Sequence, residues 1–259
     1  MQAAWSGAIA FGLVNIPIKL YVATRDTSID LDMLDSRDGA KVRYKRVNEQ
    51  SGKEVPWASV VKGYKLNGKY VVLDEADFKK AAPEQSQELN LDFFCEASAI
   101  PSLYYEAAYL AQPEKTGSKA YVLLREALTK SKKVAVGSMV MRSRQHICVV
   151  LPYGEWLLVQ RIHYPEDIHI PESVTGLPAT SIKAAELKMA QSLVDQLTQK
   201  FDISDYKDTY HEKLMEFVKA KAKGKKFTTT PLRVVHKASN DLMDQLKASL
   251  GTKRKKKAS

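Results

Sequence analysis

Three apolar runs follow one another between residues 134 and 164: VAVGSMVMRSRQ, HICVVLPYG and EWLLVQRIHY. Each is rich in β-branched and aliphatic side chains. The Pro152, Tyr153, Gly154, Glu155 stretch supplies a turn between the last two. Such a meander, with short strands and close turns, predicts a barrel or a sandwich.

The N-terminal run WSGAIAFGLVNIPIKLYV adds to it. Ile9, Phe11 and Leu13 keep one alternation phase, and Val14, Ile16, Ile18, Leu20 and Val22 keep the other. The slip beside Gly12 predicts a β-bulge or bend, in one long strand or two short ones. Asn15, Pro17 and Lys19 interrupt the run, so a buried strand is expected and a membrane segment is not. Further strands are expected at 41–47, at 55–66 and 69–73 around an Asn67–Gly68 hairpin turn, and at LNLDFFCEAS. SKAYVLLREALTK reads as a helix with Ser118 as N-cap and Ala120, Leu123, Leu124, Ala127 and Leu128 on its buried face.

After Pro178 the pattern turns helical. SIKAAELKMAQSLVDQLTQKF carries Leu187, Ala190, Val194 and Leu197 on one stripe. SDYKDTYHEKLMEFVKAKAKG carries Tyr206, Tyr210, Leu214 and Phe217, with Gly224 as its stop. Both stripes need a surface to pack on, from this chain or a partner. Residues 225–239 read as a linker. SNDLMDQLKASL is a short amphipathic stretch, followed by the basic run Lys253, Arg254, Lys255, Lys256 and Lys257.

Charge is unevenly distributed. Residues 1–218 hold 27 Lys and Arg against 28 Asp and Glu, whereas residues 219–259 hold 13 against 2. Within the near-neutral body, two basic stretches stand out. In KVRYKRV, Lys41, Arg43 and Lys45 alternate with Val42 and Tyr44. A strand there puts three cations on one face, with Arg46 in the other phase and Lys53 close behind in sequence. The second stretch runs through Lys132 and Lys133 to Arg142 and Arg144, expected on one strand face with Val140 and His146. Together they predict a localised positive field able to hold a phosphate backbone without reading bases.

No catalytic constellation is visible. Asp74, Glu75, Ala76 and Asp77 spell the tetrapeptide of helicase motors, but no phosphate-cradling G-x-x-x-x-G-K-[ST] loop precedes it. A capped turn with acids at a helix N-terminus is the expectation. His163 and His169 flank Glu166 and Asp167 without a third ligand in a fixed frame, so no metal is expected. Cys95 and Cys148 form no disulfide framework or paired metal motif, and Cys148 is expected in the core.

WSGAIAFGLVNIPIKLYVAT, KVRYKRVNEQSGKEVPWASVVKGYKLNGKYVVL, KAYVLLREAL and ELKMAQSLVDQLTQKFDISDYKDTYHEKLMEFVKAKAKG resemble the bacterial Ku proteins of non-homologous end joining, over roughly residues 3–224. The resemblance implies an α+β fold: a β-barrel core over 1–178 with an extended bridge at about 26–66, then a helical C-terminal arm over 179–224. It implies a homodimer whose chains form a ring around the end of double-stranded DNA, with no catalytic activity and no cofactor, in the bacterial cytosol beside the nucleoid. Lys41, Arg43 and Lys45 would face the DNA, with Val42 and Tyr44 bracing the bridge from behind. Arg142 and Arg144 stand at the family's R-x-R strand. Leu242, Met243, Leu246 and Leu250 fall in the segment implicated in docking a multifunctional ATP-dependent DNA ligase. The competing expectation from charge alone is a duplex-binding protein driven by its basic tail.

Overall fold

A computed structural model describes residues 2–83, 86–169 and 181–225, with Gly176 and Leu246 as single residues. The chain divides into two compact units, Met1–Pro171 and Glu172–Ser259.

The first unit holds a closed barrel of seven strands. They are β1 (Trp5–Phe11), β2 (Val14–Val22), β5 (Glu88–Glu96), β6 (Tyr105–Pro113), β7 (Lys133–Met141), β8 (Arg144–Tyr153) and β9 (Trp156–Ile162). The order around the barrel is β1-β2-β6-β9-β8-β7-β5, which selects the barrel over the sandwich. Every pairing is antiparallel except β1 with β5. Closure leaves no open sheet edge. The phase slip near Gly12 is a hairpin turn and not a bulge: Phe11 pairs with Val14, and Gly12 takes φ +56°. A turn of this length reverses the chain and resets the alternation, so Ile9 and Ile16 face each other in the core.

Inward side chains from alternate positions fill the barrel. Ile9, Ile16, Ile18, Leu20, Leu89, Ala111, Met139, Cys148, Val150, Leu157 and Val159 are all buried. Cys148 is in the core as expected, and burial pushes its thiol up to about 12. Gly137 on β7 faces a bulge in β5 between Leu91 and Phe93. A Cβ at Gly137 would lie 1.9 Å from the Asn90 carbonyl oxygen, so only glycine permits this close strand approach.

The helix α2 (Ser118–Ser131) packs on β2, β7 and β8 and contributes Tyr121, Leu124 and Leu128 to the core. This corrects the expected face: Leu123 is 69% exposed, and Tyr121 is buried instead. The reason is chemical. The Tyr121 hydroxyl donates to the Ala111 carbonyl at 2.6 Å and accepts from the Leu157 amide at 2.6 Å. It therefore bridges two residues that pair across β6 and β9, and a buried phenol is satisfied by ladder groups. Ser118 is not the N-cap. Gly117 holds that position, and the Ser118 hydroxyl donates to the Glu114 and Lys115 carbonyls.

A separate two-stranded sheet, β3 (Lys62–Leu66) and β4 (Lys69–Leu73), turns at Asn67 and Gly68 with positive φ at both, as the Asn-Gly pair predicts. The expected strand from residue 55 begins only at Lys62, because Trp57–Ser59 is a 3-10 turn. The helix α1 (Glu75–Ala81) follows.

In the second unit, α3 (Ala184–Leu197) and α4 (Thr209–Ala222) are described. Asp208 caps α4 by accepting from the His211 amide at 2.9 Å. Tyr206 therefore lies outside the helix, in the turn before it. At the other end Gly224 takes φ +68°, and its amide and that of Lys225 donate back to Lys221 and Ala220. This satisfies the last carbonyls and stops the helix, as read from the sequence. Leu187, Val194, Leu197 and Tyr210 are exposed within this unit.

Candidate nucleic-acid interface

KVRYKRV is not a strand of either sheet. Its backbone pairs at its ends, through the isolated bridges Leu34–Lys41 and Val47–Glu54. The Val42 amide donates to the Met33 carbonyl and the Val55 amide to the Arg46 carbonyl, both at 2.9 Å. Turns close both ends. Gly39 donates to Asp35, and Asn48 organises residues 50–52 by accepting from the Gln50 and Ser51 amides. Alternation specified an extended segment, yet no neighbour supplies a full ladder, so strand assignment fails there.

The cations of this stretch differ in state. Lys41 pairs with Asp32 at 2.5 Å, and Lys45 pairs with Glu54 at 2.7 Å. The Arg46 guanidinium lies 4.3 Å from the centroid of Trp57. Among the described residues, Arg43 has no carboxylate partner. Val42 and Tyr44 are 46% and 81% exposed, the Tyr44 hydroxyl donates to the Met33 Sδ at 3.3 Å, and no residue from 26 to 66 is buried. Eleven large apolar side chains in that span are exposed instead, from Leu31 to Leu66. A surface of this kind marks an interaction site.

The second basic stretch is divided by the fold. Lys132 is the left-handed residue that ends α2, and Lys133 opens β7. Arg142 lies past the far end of that strand, about 31 Å along at ~3.4 Å per residue. Arg142 and Arg144 do not share a strand face. Arg142 and Ser143 form the β7–β8 turn with φ +51° and +64°, and Arg144 is the first residue of β8, paired with Met141. Neither turn residue is the Gly or Asn that usually signals such a turn, so the sequence reads straight through it.

Around this turn the barrel collects further charge. Arg142, Arg144, His146 and Arg161 line a cleft of about 1050 Å³ together with Lys62 of β3. Arg161 makes two contacts to the Glu106 carboxylate, one of them Nε to Oε2 at 2.9 Å. That pair holds Glu106 below the usual carboxylate range. Burial and the nearby Arg161 charge lower His146. Arg161 was not legible as a site residue. Only the β8–β9 register, which sets Arg161 opposite Cys148, brings it to this end of the barrel.

The Asp74 to Asp77 tetrapeptide is a capping box on α1. Asp74 accepts from the Asp77 amide at 2.9 Å, and Asp77 accepts from the Asp74 amide at 3.0 Å. His163 pairs with Asp167 at 3.8 Å. Among the described residues no group of three His, Cys, Asp or Glu could hold a metal ion, and no helix is long and apolar enough to cross a membrane. Leu242, Met243, Leu250 and residues 253–257 lie outside the described residues.

The Ku70/Ku80 β-barrel domain model matches residues 10–191. The non-homologous end joining protein Ku of Coxiella burnetii is 37% identical, over 98% of this chain and 95% of the relative. That of Archaeoglobus fulgidus is 33% identical, over 96% and 98%. That of Bacillus subtilis is 36% identical, over 98% and 83%.

Proposed function

The chain belongs to the Ku family, and on that premise we propose that it is a non-catalytic DNA-end-binding protein of non-homologous end joining. Two copies close a ring that threads onto double-stranded ends and holds phosphates without sequence preference. The observation that carries this reading is the span 26–66. It has the exposed apolar surface of an interface and several cations, yet no core of its own. A segment of this length does not hold its form alone. A second copy pairing along it would cover the apolar side chains and complete a hole lined by Arg43 and Lys53; Arg142 and Arg144 of the barrel are further DNA-binding cations. The reading also rests on the relatives, each a non-homologous end joining protein Ku and each aligned over nearly the whole chain.

The domain assignment follows the same logic: a barrel core with bridge to about residue 178, a helical arm to 224, and a C-terminal segment beyond. In that segment Leu242, Met243, Leu246 and Leu250 would dock an ATP-dependent DNA ligase, and residues 253–257 would add non-specific charge. The site of action is the bacterial cytosol. The end requirement is the direct test. A shift assay with equal lengths of linear and covalently closed duplex should show loading on the linear form. Equal loading on both would sink the ring.

A further inference from the structure

The cleft beside the β7–β8 turn has a composition that phosphate contacts alone do not explain. Arg142 and Arg144 stand on its barrel wall, and among the described residues neither has a carboxylate partner. Lys62 reaches in from β3, its ammonium 4.9 Å from the centroid of Phe78. Phe78 on α1 and Tyr164 after β9 line the same cleft and are both partly exposed, at 43% and 36%. The Tyr164 hydroxyl donates to the Gln145 carbonyl at 3.3 Å, which orients the ring from the β8 side. Arg161 contributes little net charge, because Glu106 neutralises it.

Cations beside accessible aromatic rings are what unpaired nucleotides require. Each base has a face that stacks on an aromatic ring whatever its sequence, and the backbone needs positive charge at each step. An internal base pair of duplex DNA has both faces occupied by its neighbours and a blunt terminal pair frees only one, whereas each unpaired nucleotide can offer its faces to both rings. The volume, about 1050 Å³, lies just above the range for sites that enclose small organic ligands, roughly 300–1,000 Å³. It has room for a nucleotide and its phosphates but not for a duplex.

We propose that this cleft seats the unpaired nucleotides of a single-stranded extension at a DNA end, with Phe78 and Tyr164 as stacking surfaces and Arg142, Arg144 and Lys62 on the phosphates. The inference rests on the end-binding reading and extends it: the bridge holds the duplex, and the cleft distinguishes a frayed or extended end from a blunt one. The phosphates that meet Arg142 and Arg144 are then those of the unpaired stretch.

The test uses the full chain and three probes: a blunt duplex, the same duplex with a short thymidine extension carrying 2-aminopurine, and a free single-stranded thymidine oligonucleotide carrying the same fluorophore. The extended duplex should bind more tightly than the blunt one and its fluorophore should be quenched. Phe78→Ala with Tyr164→Ala should weaken the extended duplex roughly tenfold, the scale of base–aromatic stacking, and leave the blunt duplex unchanged. Phe78→Trp should keep the preference. The quenching measurement uses the unaltered protein, so it stands even if the double variant misfolds. Equal affinity for blunt and extended duplexes, equal loss on both, or no quenching would overturn the proposal. If closed circles compete as well as linear duplex, the end-binding reading fails by itself. The free oligonucleotide then still reports on the cleft, where quenching supports its role as a seat for unpaired nucleotides and none refutes it.

Discussion

Removing two acidic side chains from the bridge should strengthen DNA binding. Lys41 and Lys45, two of the three alternating cations of KVRYKRV, are held by Asp32 and Glu54 at 2.5 and 2.7 Å. All four side chains are more than half exposed, so neither pair adds much stability. Each nevertheless leaves a near-neutral site where a bare ammonium would attract phosphate. Asp32→Asn with Glu54→Gln frees both ammoniums and removes two negative charges from the surface proposed to face DNA. Each additional phosphate neutralised steepens the log affinity against log salt slope by about 0.9, so two steepen it by about 1.8. Between 0.2 and 0.05 M salt, that is an extra gain of about twelvefold over the unaltered protein. Fluorescence anisotropy of a labelled blunt duplex at several salt concentrations measures it. An unchanged slope, or weaker binding at low salt, would show that these lysines do not face DNA.

Tyr121→Phe removes the hydroxyl shared by the Ala111 carbonyl and the Leu157 amide. Leaving buried polar groups unpaired costs about 1–3 kcal/mol, so calorimetry should show Tm falling by several degrees, and an unchanged Tm would refute the bridging role. The Glu106–Arg161 pair predicts an acid-side effect. Because Glu106 titrates below its unfolded value, its contribution is present above the ordinary carboxylate range and is lost as pH falls through the lowered folded value. Glu106→Gln should therefore flatten the dependence of Tm on pH through that acid range, and identical profiles would count against it. Changing Leu242, Leu246 and Leu250 to polar residues should abolish ligase stimulation while sparing end binding; retained stimulation would remove the docking role from this segment.

Legibility in the sequence followed how local each determinant was. The meander, the Asn67–Gly68 hairpin, the Gly224 stop and the Cys148 core position depend on a few neighbouring residues and could be read directly. The buried face of α2 could not, because Tyr121 owes its place to a hydroxyl bridging β6 and β9. The Arg142–Ser143 turn lacked Gly and Asn, so VMRSRQH read as continuous strand. Arg161 joined the cleft only through strand register, a long-range property. KVRYKRV was read as a strand, but it pairs only through isolated bridges at Lys41 and Val47. Its charge pattern was visible, while the neutralising Asp32 and Glu54 come from either side of it and needed the folded chain to be seen.

A ring of two chains that enters DNA only at an end must show both a paired stoichiometry and a need for an end. Native mass measurement on a mixture of the protein, a linear duplex and a covalently closed circle tests it in one experiment. The account predicts complexes of two chains, or multiples of two, on the linear duplex and none on the circle at moderate salt. Single chains on DNA, or equal occupancy of both forms, would contradict it.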